Sequence, residues 1–187
     1  MSLGINDVRK GSLIIMEGDP YLVMLVSHQH IGRGSANVQL KVKSLLTGKI
    51  FDRTIKSSEA FEEAELERMD AEFIYSRSGE YWFHEKGNPG NRFSIVEETL
   101  GNQAGFLKPK MVVRAIKFNG EIINIEVPIK AEYRVVEAPP NVRGNTAQSG
   151  TKQVVIETGV KVSTPMFVEI GDVIRINTET GEYVERV

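Results

Sequence analysis

Hydrophobic and polar positions alternate with a period of two in short runs along this chain, and almost nowhere does an apolar residue recur at helical spacing for long. In the run 38–43, Val38, Leu40 and Val42 fall on one face and Gln39, Lys41 and Lys43 on the other, as a half-buried strand requires. The aliphatic and β-branched run Tyr21–Ser27 reads as its strand partner, and the two make a long hairpin with a glycine-flanked tip around Ile31–Gly34. Turn signals separate the remaining runs: Glu17-Gly-Asp-Pro20, Leu46-Thr-Gly-Lys49, Ser78-Gly-Glu80, Phe118-Asn-Gly-Glu121, Glu157-Thr-Gly159 and Thr178-Glu-Thr-Gly-Glu182. Together they predict an all-β chain whose short strands are spaced as in small barrels.

The pattern breaks twice. Ser57–Met69 is acidic and is predicted to form a turn or two of helix, capped by Ser57 or Ser58, linking a first unit to a second. Val127-Pro128 marks another boundary, because proline cannot donate to a central ladder. The expected domains are therefore 1–64, 65–128 and 129–187.

Composition narrows the function classes. No apolar run approaches the ~20 residues of a membrane span, and the N-terminus shows no basic segment followed by an apolar stretch, so neither a membrane role nor a secretory signal is expected. The absence of cysteine excludes disulfides, thiolate nucleophiles and Cys-ligated zinc. These features predict a cytoplasmic protein; a monomer is the expected state. The net charge of −2 hides an asymmetry: residues 1–58 carry +4, residues 59–127 carry −5 and residues 128–187 carry −1. A positive first segment is compatible with an anionic partner.

Catalytic constellations are missing from the sequence. There is no Gly-x-Ser-x-Gly, His-Glu-x-x-His or Gly-x-x-x-x-Gly-Lys-Ser/Thr, so no enzyme, cofactor or metal site is expected. His28 and His30 would share a strand face, where a third ligand would be needed for a metal; exposed hairpin residues or phosphate contacts are the other readings. His84, beside Tyr81-Trp-Phe83, reads as a core-edge residue. Gly32-Arg-Gly34 has two readings from its residues alone. It is an ordinary turn with a solvated guanidinium, or a tip that brings a permanent cation close to another molecule.

Three segments resemble the elongation factor P family over essentially the whole chain: Ile31-Gly-Arg-Gly-Ser-Ala36 with Lys41-Val-Lys-Ser-Leu-Leu-Thr-Gly48 and Thr54-Ile-Lys-Ser57; Lys152–Gly159 through Pro165–Gly171; and the ending Asn177–Val187. The resemblance implies an SH3-like (KOW-type) barrel followed by two OB-fold barrels, arranged in an L that imitates tRNA. It also implies a translation factor that binds the 70S ribosome between the P and E sites and promotes peptide-bond formation at consecutive prolines. Arg33 takes the place of the family's tip residue at the CCA end of P-site peptidyl-tRNA, and in one subgroup the matching arginine is rhamnosylated by a modifying enzyme. Ile31, Gly32, Gly34 and Ser35 complete the tip, and His30, Lys41 and Lys43 are candidate tRNA phosphate contacts. Gly144, Asn145 and Thr146 match a loop that faces the mRNA codon at the E site and the anticodon stem, with ribosomal RNA as the wider partner. Two departures stand out: Ile31 replaces the usual proline, and Asn145 replaces an aspartate, losing a charge and gaining two donors. Val154 and Thr164 also differ from the family signature, at positions expected to set packing.

Two other classes compete with this reading. A general single-stranded nucleic-acid-binding OB protein would need basic grooves and stacking aromatics, yet aromatics are 7% of the chain and residues 59–187 carry −6. A hydrolase using glutamates of the 59–72 segment is the other.

Overall fold

The computed structural model describes residues 2–29, 37–56, 58–140 and 150–187. Among those residues, sixteen strands, a four-residue helix and one 3-10 turn make up the regular structure, and the strands form three antiparallel sheets. The first sheet contains β1 (Ser2–Gly4), β2 (Leu13–Met16), β3 (Asp19–Gln29), β4 (Asn37–Ser44), β5 (Ile50–Lys56) and β6 (Ala60–Glu63), in the order β1-β6-β2-β3-β4-β5. The second contains β7 (Glu67–Arg77), β8 (Glu80–Glu85), β9 (Asn88–Val96), β10 (Val112–Phe118) and β11 (Glu121–Glu126), in the order β11-β10-β7-β8-β9. The third contains β12 (Lys130–Glu137), β13 (Thr151–Ile156), β14 (Lys161–Pro165), β15 (Val173–Asn177) and β16 (Glu182–Arg186), in the order β14-β13-β12-β15-β16. Helix α1 (Glu97–Leu100) runs into the 3-10 turn Gly101–Phe106. The fold is all-β, as the alternation predicts.

The turn chemistry is equally local. Glu17-Gly18, Ser78-Gly79 and Asn119-Gly120 each close a two-residue hairpin with both central residues at positive φ, the twist that matches flanking antiparallel strands. Residues 127–129 lie between β11 and β12, where Pro128 leaves the strands.

The residues cluster into two compact units, Met1–Met69 with Ile95–Gly101 and Arg114–Ile125, and Asp70–Ser94 with Asn102–Val113 and Glu126–Val187. In the first, Ile5, Val8, Ile14, Val23, Val38, Leu40, Val42, Ile55 and Phe61 form one buried cluster. In the second, Phe73, Phe83 and Phe93 pack with successive centroids 5.4 Å apart, and Tyr133, Val135, Val154, Ile156, Val162, Ile174 and Ile176 are buried inside the third sheet. Val154 and Thr164 are fully buried, and the Thr164 hydroxyl donates to the Lys152 carbonyl at 3.4 Å, so both positions belong to packing as expected.

The predicted helical turn in 57–69 is corrected. β6 occupies its centre and pairs with β1 (Leu3↔Phe61) and with β2 (Ile14↔Glu63). Phe61 points into the core between exposed Ala60 and Glu62, and the strand supplies backbone partners to two neighbours that a helix would leave unpaired. Of the acidic residues that suggested a helix, Glu62 and Glu63 are exposed positions of this short strand.

Candidate functional site

The hairpin predicted from residues 21–43 is built on three strands. β4 pairs along its length with β3 on one side and β5 on the other, so that Gln29, Asn37 and Lys56 lie in one cross-strand row. That row brackets the connection 30–36. His30, Ile31, Gly32, Arg33, Gly34 and Ser35 lie outside the described residues, as do Gly144, Asn145 and Thr146.

β4 alternates as its sequence requires. Val38, Leu40 and Val42 are at most 1% exposed, whereas Gln39 and Lys41 are exposed and Lys43 is half-buried. A register shift between Val23 and Leu25 inserts Met24 and sets Leu25 opposite Lys41. The outer face therefore runs Leu22–Lys43–Ile50, Leu25–Lys41–Asp52 and Ser27–Gln39–Thr54 before reaching the Asn37–Lys56 row. Three lysines share it with one aspartate, so the face is cationic, and the exposed Leu25 and Ile50 give apolar support beside the lysine stems.

Sequence reasoning singled out Lys41 and Lys43 and missed Lys56. The usable signal was the buried Ile55, which forces Thr54 and Lys56 outward; only the register reveals that Lys56 stands in the row of Asn37 and Gln29. The backbone there is fixed: the Lys56 N–H donates to the Glu59 carboxylate at 3.2 Å, and the Glu59 N–H donates to the Lys56 carbonyl at 3.0 Å. Arg53 emerges on the other face of β5, its guanidinium 5.3 Å from the centre of the Phe51 ring.

Elsewhere, the His84 imidazole is partly buried, with Nδ1 2.9 Å from the Glu85 carbonyl and Nε2 3.8 Å from Glu72. Among the described residues no group of three His, Asp or Glu side chains is placed to hold a metal ion, and no helix is long and apolar enough to cross a membrane.

Two family models match the chain: Elongation factor P (EF-P) KOW-like domain over residues 4–61, and Elongation factor P, C-terminal, over residues 131–186. Elongation factor P of Moorella thermoacetica is 39% identical over 98% of this chain and 99% of its own length. The chain belongs to the elongation factor P family. Elongation factor P of Persephonella marina is 38% identical over 100% of this chain and 98% of its own. Among solved structures, eukaryotic translation initiation factor 5A from Methanococcus jannaschii superposes with a TM-score of 0.51 at 12% identity, covering 67% of this chain and 93% of that one, a likeness of fold. As an elongation factor P family member the chain is a translation factor, and its first sheet is the KOW-like part that the hairpin sequence implied.

Proposed function

We propose that this elongation factor P family member binds the 70S ribosome between the P and E sites and accelerates peptide-bond formation at consecutive prolines by placing Arg33 beside the CCA end of peptidyl-tRNA. The observation that carries the reading is the three-stranded support of the hairpin: β3, β4 and β5 stay paired, past the bulge at Met24, up to the row that brackets residues 30–36, and their outer face is cationic. A stiff, positively charged finger suits a segment that must enter an RNA crevice, where Arg33 would pair with phosphate in bidentate fashion. Proline is a rigid, poor peptidyl donor and acceptor, so the gain comes from orienting the reactants, with no covalent step by the factor. Lys41, Lys43 and His30 would meet phosphates of the acceptor arm. Gly144-Asn145-Thr146 would face the E-site codon and anticodon stem, and residues 1–64, 65–128 and 129–187 would act as the three barrels of a monomer.

The test is Arg33→Ala in a reconstituted translation system with a polyproline reporter. The expected outcome is a folded variant that retains ribosome binding and loses most of the rescue; wild-type rescue would remove Arg33 from the mechanism. Intact-mass measurement of protein from its native host distinguishes a sugar-extended Arg33 from a bare guanidinium.

A further inference from the structure

The turn between β4 and β5 caps the end of β4 farthest from residues 30–36, and it is held from outside its own sheet. Asn124, buried on β11, donates through Nδ2 to the Leu45 carbonyl at 3.1 Å while its Oδ1 accepts the Ile125 N–H at 2.8 Å. Thr99 on α1 donates its hydroxyl to the Leu46 carbonyl, also at 3.1 Å. Gly48, at φ +71°, lies so close to α1 that a Cβ there would stand 3.2 Å from the Thr99 carbonyl oxygen. Within the turn, the Ser44 hydroxyl accepts the Thr47 N–H at 3.2 Å, the Ser44 carbonyl accepts the Gly48 N–H at 3.0 Å, and the Pro20 carbonyl accepts the Leu45 N–H at 3.0 Å. All of these residues belong to the first compact unit.

A short reverse turn between adjacent strands needs none of the outside partners to form. They matter through leverage. A strand the length of β4 extends about 25 Å, so a tilt of about 5° at its root displaces the far end by about 2 Å, and errors of about 1 Å at a reacting centre can cost a hundredfold in rate. Asn124 is well suited to resist such a tilt, since its amide is fixed at both ends, the oxygen by its own strand and the nitrogen by the turn. Gly48 allows the approach, and any side chain would push α1 and the turn apart.

We propose that Thr99, Asn124 and Gly48 form a socket on the Leu45–Gly48 turn that sets the aim of the β3–β4–β5 finger, and that Thr99 and Asn124 are positioning residues for its action on peptidyl-tRNA. The inference rests on the functional reading above. Its test is therefore read out in two independent ways, using Thr99→Val, Asn124→Ala and their combination, with Thr99→Ser as the variant that keeps the hydroxyl. Because the chain has no cysteine, Ser27→Cys and Glu121→Cys accept spin labels at two defined places in the first unit. The wild-type background is expected to give a narrow distance distribution and Thr99→Val a broader one, with Thr99→Ser restoring the narrow form. An unchanged width in folded Thr99→Val and in the double variant overturns the socket, whatever translation shows.

In the polyproline assay, the factor concentration for half-maximal rescue is expected to stay within about twofold, while the saturating rate falls about tenfold in the double variant. A broadened distribution with a wild-type saturating rate overturns the positioning role and leaves Arg33 untouched. If the wild-type factor gives no rescue at all, the functional reading and the positioning role fall together, and the label distances still decide whether the socket exists.

Discussion

Lys41 and Lys56 stand outward because Leu40, Val42 and Ile55, their sequence neighbours, are taken into the core. A cation held outward on a paired strand can meet a phosphate, and each such pairing releases counterions. Replacing both by glutamine is expected to weaken ribosome binding and to lower the slope of log affinity against log salt by about one for each phosphate no longer neutralised. An unchanged slope, measured by filter binding across a salt series, would remove these lysines from the interface. Lys41 was legible because alternation is a property of adjacent residues. Lys56 was not, since its importance comes from standing opposite Asn37, a matter of strand register. Thr99 and Asn124 carried no local signal whatever: their partners lie 53 and 79 residues away.

At the scale of elements, Lys108, just past the 3-10 turn, ties that segment of the second unit to the third sheet. Lys108 donates to the Glu132 carbonyl and to the Glu157 carboxylate, each at 2.8 Å, and lies 5.1 Å above the Tyr133 ring. Beneath it the Tyr133 hydroxyl donates to the Phe106 carbonyl at 2.7 Å; burial, then the Glu157 charge, pushes this phenol well above its ordinary range. Gly105 permits the approach, for a Cβ there would meet Val160 at 2.8 Å. Desolvation raises the Glu157 carboxyl, but the Lys108 hydrogen bond, the Arg134 N–H and the two neighbouring cations outweigh it and hold the group below its ordinary value. A carboxyl depressed in the folded state stabilises above its unfolded pKa, and that contribution disappears as pH falls through the folded value. Glu157→Gln is therefore expected to lower Tm at pH 7 by no more than a few degrees, since the pair is partly exposed and worth about 0–1 kcal/mol. The difference should shrink as pH falls through the ordinary carboxylate range and vanish once the folded-state carboxyl is protonated, in a calorimetric series. A constant difference across that range would deny the ion pair its role. The acidic run at 57–69 makes the complementary point: its charge suggested a helix, and the open backbone positions of β1 and β2 made it a strand.

For the whole molecule, each compact unit has its own core, and the single tryptophan, Trp82, lies in the second. Leu40, completely buried in the first, is expected to cost about 2–5 kcal/mol on replacement by alanine. In urea, the Leu40→Ala far-UV signal should begin to fall before Trp82 fluorescence moves; coincident transitions would mean that the units unfold as one. The sequence by itself determined the strand character, the hairpin turns, the inward faces of β4 and the family, because each depends on a residue and its near neighbours or on whole-chain likeness. Tertiary structure alone decided that β6 lies between β1 and β2 in the first sheet, that Lys56 stands opposite Asn37, and that Thr99 and Asn124 grip the Leu45–Gly48 turn. A period of two tells a side chain which face to take. Which partner waits on that face is settled only when distant segments pack, since burial and backbone pairing are satisfied between segments far apart in the chain.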